Sequence, residues 1–302
     1  VALSEDGNTL LYQWSNGTTP GVMEIGDVRG RRNRILYQAK DPYDGYSLCK
    51  TELVSIKAAD DSTLLNGRII KPFDFDPSKQ YPVLVYVYGG PHAQLITNGW
   101  MYGASLWMHY LANKGYIVFT LDNRGSAHRG RDFENVIHRQ LGTVEMADQL
   151  KGVEYLKTLD YIDPDRMAVH GWSFGGFMTT SLMLRHPNVF KVGVAGGPVT
   201  DWKYYEVMYG ERYMDTPEEN PKGYETASLL NYADQLQGQL LLIHGTVDDV
   251  VVMQHNFSLV QKFVEAGKLI DFMPYPMHKH NVRGPDRMHL IAKIIDYVER
   301  NL

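Results

Sequence analysis

The sequence predicts a mostly parallel, doubly wound α/β sheet preceded by a short segment built only of strands. Three observations carry this prediction. Apolar runs of strand length recur from residue 82 to 276, and amphipathic stretches of helical length separate them. Residues 1–70 have a different texture, with short strand-like pieces divided by Asp6-Gly7, Asn16-Gly17 and Asp44-Gly45 turn signals.

The strand-like pieces of the first segment include LLYQW, GVMEI, ILYQA and TELVSIKA, none with a helical period. The segment 71–302 then supplies PVLVYVYGG (82–90), YIVFTLDNRG (116–125), RMAVHGWS (166–173), KVGVAGGP (191–198), QLLLIHG (239–245) and LIDFMPYP (269–276). These runs are nearly continuous in apolar residues, as strands are when helices cover both faces of a parallel sheet. Helices are expected over 100–113, 143–159, 175–185, 254–266 and 286–301. Strands alternating with helices give a doubly wound α/β domain, whose ligands sit at the carboxyl ends of the strands.

Composition narrows the function. The net charge of −5 gives no electrostatic case for nucleic acid. No apolar run reaches the length of a membrane span. The single cysteine, Cys49, excludes an intramolecular disulfide and a cysteine-based zinc site. The chain opens on VALSEDGNTLLYQW, without an initiator Met, and reads as a piece of a longer protein.

The strongest motif is Gly171-Trp172-Ser173-Phe174-Gly175-Gly176, between the strand RMAVH and a helical stretch closed by Pro187. Chance G-x-S-x-G should occur about 0.1 times in a chain of this length, and less often between a strand and a helix. A hydrolase nucleophile needs a sharp strand-to-helix turn with small neighbours, which the flanking glycines provide. The motif therefore specifies the α/β-hydrolase form of the sheet, with Ser173 as nucleophile. The Phe174 amide, at the helix N-terminus, can face a developing oxyanion.

In this fold the acid and the base follow the serine in that order, each on a loop after a later strand. QLLLIHG leads into Thr246-Val247-Asp248-Asp249, and LIDFMPYP into Met277-His278-Lys279-His280. Spacing alone leaves Asp248 or Asp249 as acid and His278 or His280 as base. His255 and His289 fall in expected helices and read as packing or surface residues; His244 reads as shaping a turn. No metal or cofactor is called for.

The chain resembles the prolyl oligopeptidase family, in its dipeptidyl-peptidase IV-like branch. The resemblance rests on VYVYGGPHAQ (85–94), LDNRGSAHRGRDF (121–133), GWSFGGF (171–177), DWKYYEVMYGERYM (201–214), HGTVDDVV (244–251) and YPMHKHNV (275–282). It implies Asp248 as acid, His280 as base and the Tyr88 hydroxyl as second oxyanion donor. It also implies a proline-selective pocket lined by Tyr205 and Tyr209, with Trp202, Val199 and Val251 beside them. Residues 1–70 would then be terminal β-propeller strands and a connection, and 71–302 the catalytic domain.

The implied activity is a serine exopeptidase releasing N-terminal di- or tripeptides after proline. Peptides with proline near the N-terminus would be substrates, a homodimer is the implied assembly, and an extracytoplasmic site is implied by analogy. Two departures bear on register: Val250 stands where dipeptidyl members have an asparagine, and Glu206 where they have aspartate. Both lean toward tripeptide release. An acylaminoacyl peptidase or carboxylesterase on the same fold is the alternative, and an inactive hydrolase-fold binding module the third reading.

Overall fold

The computed structural model describes residues 1–31 and 33–302. Four strands, β1 (Ala2–Leu3), β2 (Thr9–Trp14), β3 (Val22–Asp27) and β4 (Arg34–Gln38), form an antiparallel meander in sequence order. This sheet is thinly covered: β4 is exposed along its length, and Leu3, Ile35 and Tyr37 face solvent.

The second sheet has eight strands: β5 (Thr51–Lys57), β6 (Leu64–Ile70), β7 (Tyr81–Tyr86), β8 (Ile117–Asp122), β9 (Ile162–Trp172), β10 (Val192–Gly196), β11 (Gln239–Gly245) and β12 (Asp271–Tyr275). Their spatial order is β12-β11-β10-β9-β7-β8-β6-β5. The strands from β8 to β12 run parallel, whereas β5–β6 and β6–β8 are antiparallel. The mostly parallel sheet expected from the sequence is therefore present, in the strand order of an α/β hydrolase.

One grouping changes. The sequence groups residues 51–70 with the N-terminal strands, whereas β5 and β6 complete the edge of the large sheet. The reason is non-local: Asn66–Ile70 pair with Val118–Asp122, about fifty residues further on.

Helices α1 (Leu106–Asn113), α2 (Arg131–Asn135), α3 (Val144–Lys157), α4 (Phe174–Arg185), α5 (Val207–Met214), α6 (Pro221–Ala227), α7 (Gln254–Glu265) and α8 (Asp286–Asn301) complete the domain. Strand residues alternate between two cores, as the period of two requires. Val83, Val85, Phe119 and Leu242 pack with residues of α3, α4 and α7; Leu84, Val118, Val194 and Ile243 pack with those of α1 and α8. The helix expected over 100–113 is broken, because Met101 and Tyr102 take left-handed φ of 54° and 53°. Its first part is a 3-10 turn, and α1 starts at Leu106.

Candidate active site

Ser173 sits at the carboxyl end of β9, at the N-cap of α4, with φ 62° and ψ −119°. Left-handed backbone is costly for a residue with a Cβ and concentrates at functional turns. The glycines permit the turn by allowing backbones to touch. A Cβ on Gly171 would stand 2.3 Å from the Val87 carbonyl oxygen and 2.4 Å from that of Gly175. A Cβ on Gly175 would meet the same Val87 oxygen at 2.3 Å. The turn is pinned by Ser173 N donating to the Gly196 carbonyl at 2.8 Å. Phe174 is the first residue of α4, where a backbone N–H has no partner within the helix.

The loop after β7 delivers Tyr88 to the same place. Gly89 adopts φ 78°, and a Cβ on Gly90 would lie 2.7 Å from the Tyr88 ring and 2.9 Å from Phe174. Asn123 Nδ2 holds the Gly89 carbonyl at 3.0 Å, and Gln149 Nε2 donates to Asn123 Oδ1 at 2.8 Å. The LDNRG block thus buttresses the tyrosine loop from beneath. Burial pushes the Tyr88 phenol above its ordinary range, so it stays protonated and able to donate.

The two later loops bring one member of each pair into contact. His280 Nδ1 meets Asp248 Oδ2 at 2.7 Å. Asp248 Oδ1 accepts from the amides of Val250 and Val251, each at 2.9 Å. Asp249 instead forms an exposed ion pair with Lys279 at 2.5 Å, and His278 Nε2 lies 2.8 Å from Asp286. Burial pulls the Asp248 carboxyl upward, but bonds to His244, His280 and the Val250 amide outweigh it. The net effect holds the carboxyl well below the usual range.

The acid and histidine loops are clamped together. Val247 N donates to the His278 carbonyl at 3.1 Å, and Met277 N to Thr246 Oγ1 at 2.9 Å. Trp172 Nε1 donates to the His280 carbonyl at 2.9 Å, tying the elbow to the histidine loop. His280, Ser173, Tyr88 and Tyr205 line one cavity of about 490 Å³. With Nδ1 held by Asp248, the remaining nitrogen of His280 is the one available to a serine proton.

The aromatic residues form a cluster beside Ser173. Trp202 and Tyr209 stack at 5.7 Å with planes 9° apart, and Tyr205 meets both edge-on, at 5.6 and 5.2 Å. Phe174 lies 5.5 Å from Trp202. Tyr205 is the member that reaches the cavity, whereas Trp202, Val199 and Val251 are buried in the core behind it. Burial raises the Tyr205 phenol to about 12 and moves Tyr209 in the same direction. Glu206 is exposed at the N-cap of α5. Val250 is exposed on the cavity rim.

His244, expected to shape a turn, makes wider contacts. It is fully buried; Nδ1 accepts from Asn256 Nδ2 at 2.9 Å, and Nε2 donates to the Val251 carbonyl at 2.6 Å. Nε2 also lies 3.3 Å from Asp248 Oδ2. Its i,i+4 spacing to Asp248 was a signal available in the sequence. His255 is buried, with Nδ1 accepting from Thr200 N at 3.1 Å, and His289 Nδ1 contacts Tyr275 Oη at 2.9 Å. Among the described residues, no group of three or more His, Cys, Asp or Glu side chains could hold a metal ion, and no helix is long and apolar enough to cross a membrane.

Comparison with known proteins agrees with this architecture. Residues 102–302 match the sequence profile of the prolyl oligopeptidase family. Mouse dipeptidyl peptidase 8 is 37% identical over 315 residues, covering 99% of this chain but 35% of that protein. The chain thus spans about a third of the length of that relative. A crystal structure described as a dipeptidyl aminopeptidase IV from Bacteroides ovatus superposes with a TM-score of 0.98 at 55% identity. Porphyromonas gingivalis dipeptidyl peptidase 4 superposes with a TM-score of 0.94 at 34% identity. Each match covers 100% of this chain and 43% of the other.

Proposed function

The chain belongs to the prolyl oligopeptidase family, and from that premise we propose that it is the catalytic part of a serine exopeptidase cutting after proline. The observation that carries the reading is the convergence, on one cavity, of a strained Ser173 with His280, itself held by Asp248. Ser173 Oγ attacks the scissile carbonyl while His280 Nε2 takes its proton. Asp248 keeps the imidazole in the required tautomer and stabilises its charged form. The Phe174 amide and the Tyr88 hydroxyl receive the oxyanion. His280 then protonates the leaving amine, and water resolves the acyl-enzyme by the same route.

Tyr205 and Tyr209, with Trp202, Val199 and Val251 behind them, form the wall for the proline ring. A compact, rigid ring fits against aromatic faces and against a core that cannot yield to longer side chains. The four-stranded meander of residues 2–38 has the form of one propeller blade. We assign it as a terminal blade of the access-limiting domain, with residues 71–302 inside the catalytic domain.

Dipeptide release is the preferred register, since the similar proteins named above carry that activity in their names. Tripeptide release is a second reading, favoured by the exposed Glu206 carboxylate and by Val250 on the rim. The test is hydrolysis of Ala-Pro- and Ala-Ala-Pro-p-nitroanilide by the full-length protein, beside short-chain aryl esters. Faster cleavage of Ala-Pro-anilide supports the first register, and faster cleavage of Ala-Ala-Pro-anilide the second. Hydrolysis of esters alone would overturn the peptidase reading.

A further inference from the structure

The cavity that holds Ser173 does not end there. It continues past Trp172 to a box of three rings, Tyr86, Trp107 and His170, floored by apolar residues of α8. The three ring centroids are mutually 5.7, 5.7 and 5.8 Å apart. Arg287, in the first turn of α8, stands on the rim. The catalytic reading above uses none of these four residues.

Three of the four residues have uncommitted polar atoms, mostly donors. Among the described residues, the Tyr86 hydroxyl, Trp107 Nε1 and the Arg287 guanidinium make no side-chain hydrogen bond or ion pair within the protein. His170 is 4% exposed, and its Nδ1 meets the Val194 carbonyl at 2.7 Å. A carbonyl only accepts, so Nδ1 carries the proton. Burial lowers the ring to about 4, which keeps it neutral. A guanidinium, an indole N–H and a phenol beside apolar rings suit a carboxylate attached to a bulky apolar side chain.

Direction follows from the reaction. Tyr205, backed by Tyr209 and Trp202, would hold the acyl part of the substrate. The box lies in the same cavity as Ser173, with Trp172 and the His280–Val282 loop also lining it. A general acid must stand beside the amine it protonates, so the leaving segment departs over His280. The box shares its cavity with His280, and about 490 Å³ for the whole cavity leaves room for a short leaving segment.

We propose that the Tyr86–Trp107–His170 box and Arg287 bind the leaving part of short peptides, the box taking an apolar side chain and Arg287 the C-terminal carboxylate. The proposal rests on the peptidase reading, and it makes the protein a processor of short peptides with free carboxyl ends. Arg287 is a specificity residue in this scheme and takes no part in bond cleavage.

The test uses the full-length protein and three tetrapeptides: Ala-Pro-Ala-Phe as free acid, the same peptide as C-terminal amide, and Ala-Pro-Ala-Glu amide. Wild type should cleave the free acid about tenfold better in kcat/KM than its amide, the difference lying in KM. Arg287→Gln should bring that ratio close to one. Trp107→Ala should raise KM for the Phe peptides in both forms. An acid-to-amide ratio equal in wild type and Arg287→Gln would overturn the proposal. A preference for the Glu amide over the free acid would overturn the terminal assignment. Ala-Pro- and Ala-Ala-Pro-p-nitroanilide separate the two layers: if wild type cuts neither, the peptidase reading itself is lost.

Discussion

His244 Nε2 lies 3.3 Å from Oδ2 of Asp248, the same oxygen that meets His280 Nδ1. Asn256 donates to His244 Nδ1, which places the His244 proton on Nε2, between the Val251 carbonyl and the Asp248 carboxylate. A second imidazole therefore helps to fix the carboxylate that orients the first. Partners of this kind are worth about 10–100-fold where they set the orientation of a functional ligand.

His244 is accordingly a positioning residue. His244→Phe should lower kcat about tenfold with little change in KM, whereas His244→Gln, which can return an N–H near the Nε2 position, should recover most of it. Steady-state kinetics on a proline anilide with both variants provide the measurement. Equal losses in the two would mean that His244 matters only for packing.

The paired candidates on the later loops should separate sharply. Asp248→Asn should reduce kcat by about 10⁴, because the imidazole loses the partner that sets its tautomer. Asp249→Asn removes only an exposed ion pair with Lys279 and should leave kcat within about twofold. His280→Ala should abolish turnover while His278→Ala, which loses a contact to Asp286, should not. The four variants assayed in parallel would expose any misassignment directly.

Tyr88→Phe isolates a single hydroxyl, since the ring and its contact with Phe174 at 6.1 Å remain. A drop of about 10²–10³ in kcat, with KM nearly constant, is expected of an oxyanion donor. Burning off less than tenfold would place the second donor elsewhere.

These contrasts also show what was legible in the sequence. Ser173 was readable because its strained turn needs close backbone approaches, and Gly171 and Gly175 mark them. The order of the aspartate and histidine loops was readable for topological reasons. The choice within each pair depended on family blocks, since neighbours such as Asp248 and Asp249 differ only in the direction their side chains take. Strand β6 was misgrouped because its partner β8 lies far along the chain. The box of Tyr86, Trp107 and His170 was invisible for the same reason, its rings coming from β7, α1 and β9.

Glu145 offers a prediction on stability rather than turnover. Its carboxyl is fully buried in the first turn of α3; Oε2 accepts from Gly142 N at 3.0 Å, and Oε1 has no partner among the described residues. Burial raises its pKa to about 8, with the nearby Asp148 charge acting in the same direction. The folded protein therefore holds a proton that the unfolded chain releases above about 4.3. Between that pH and about 8 the folded state binds more protons, so stability falls as pH rises, by up to about 1.4 kcal/mol per pH unit from this group. Above about 8 both states are ionised and the loss levels off. Glu145→Gln keeps an acceptor for Gly142 N and removes the titration. Its stability relative to wild type should thus rise from pH 5 to pH 8, read as urea midpoints at the two values. Parallel pH profiles for the two proteins would show that Glu145 is ionised in the folded state after all.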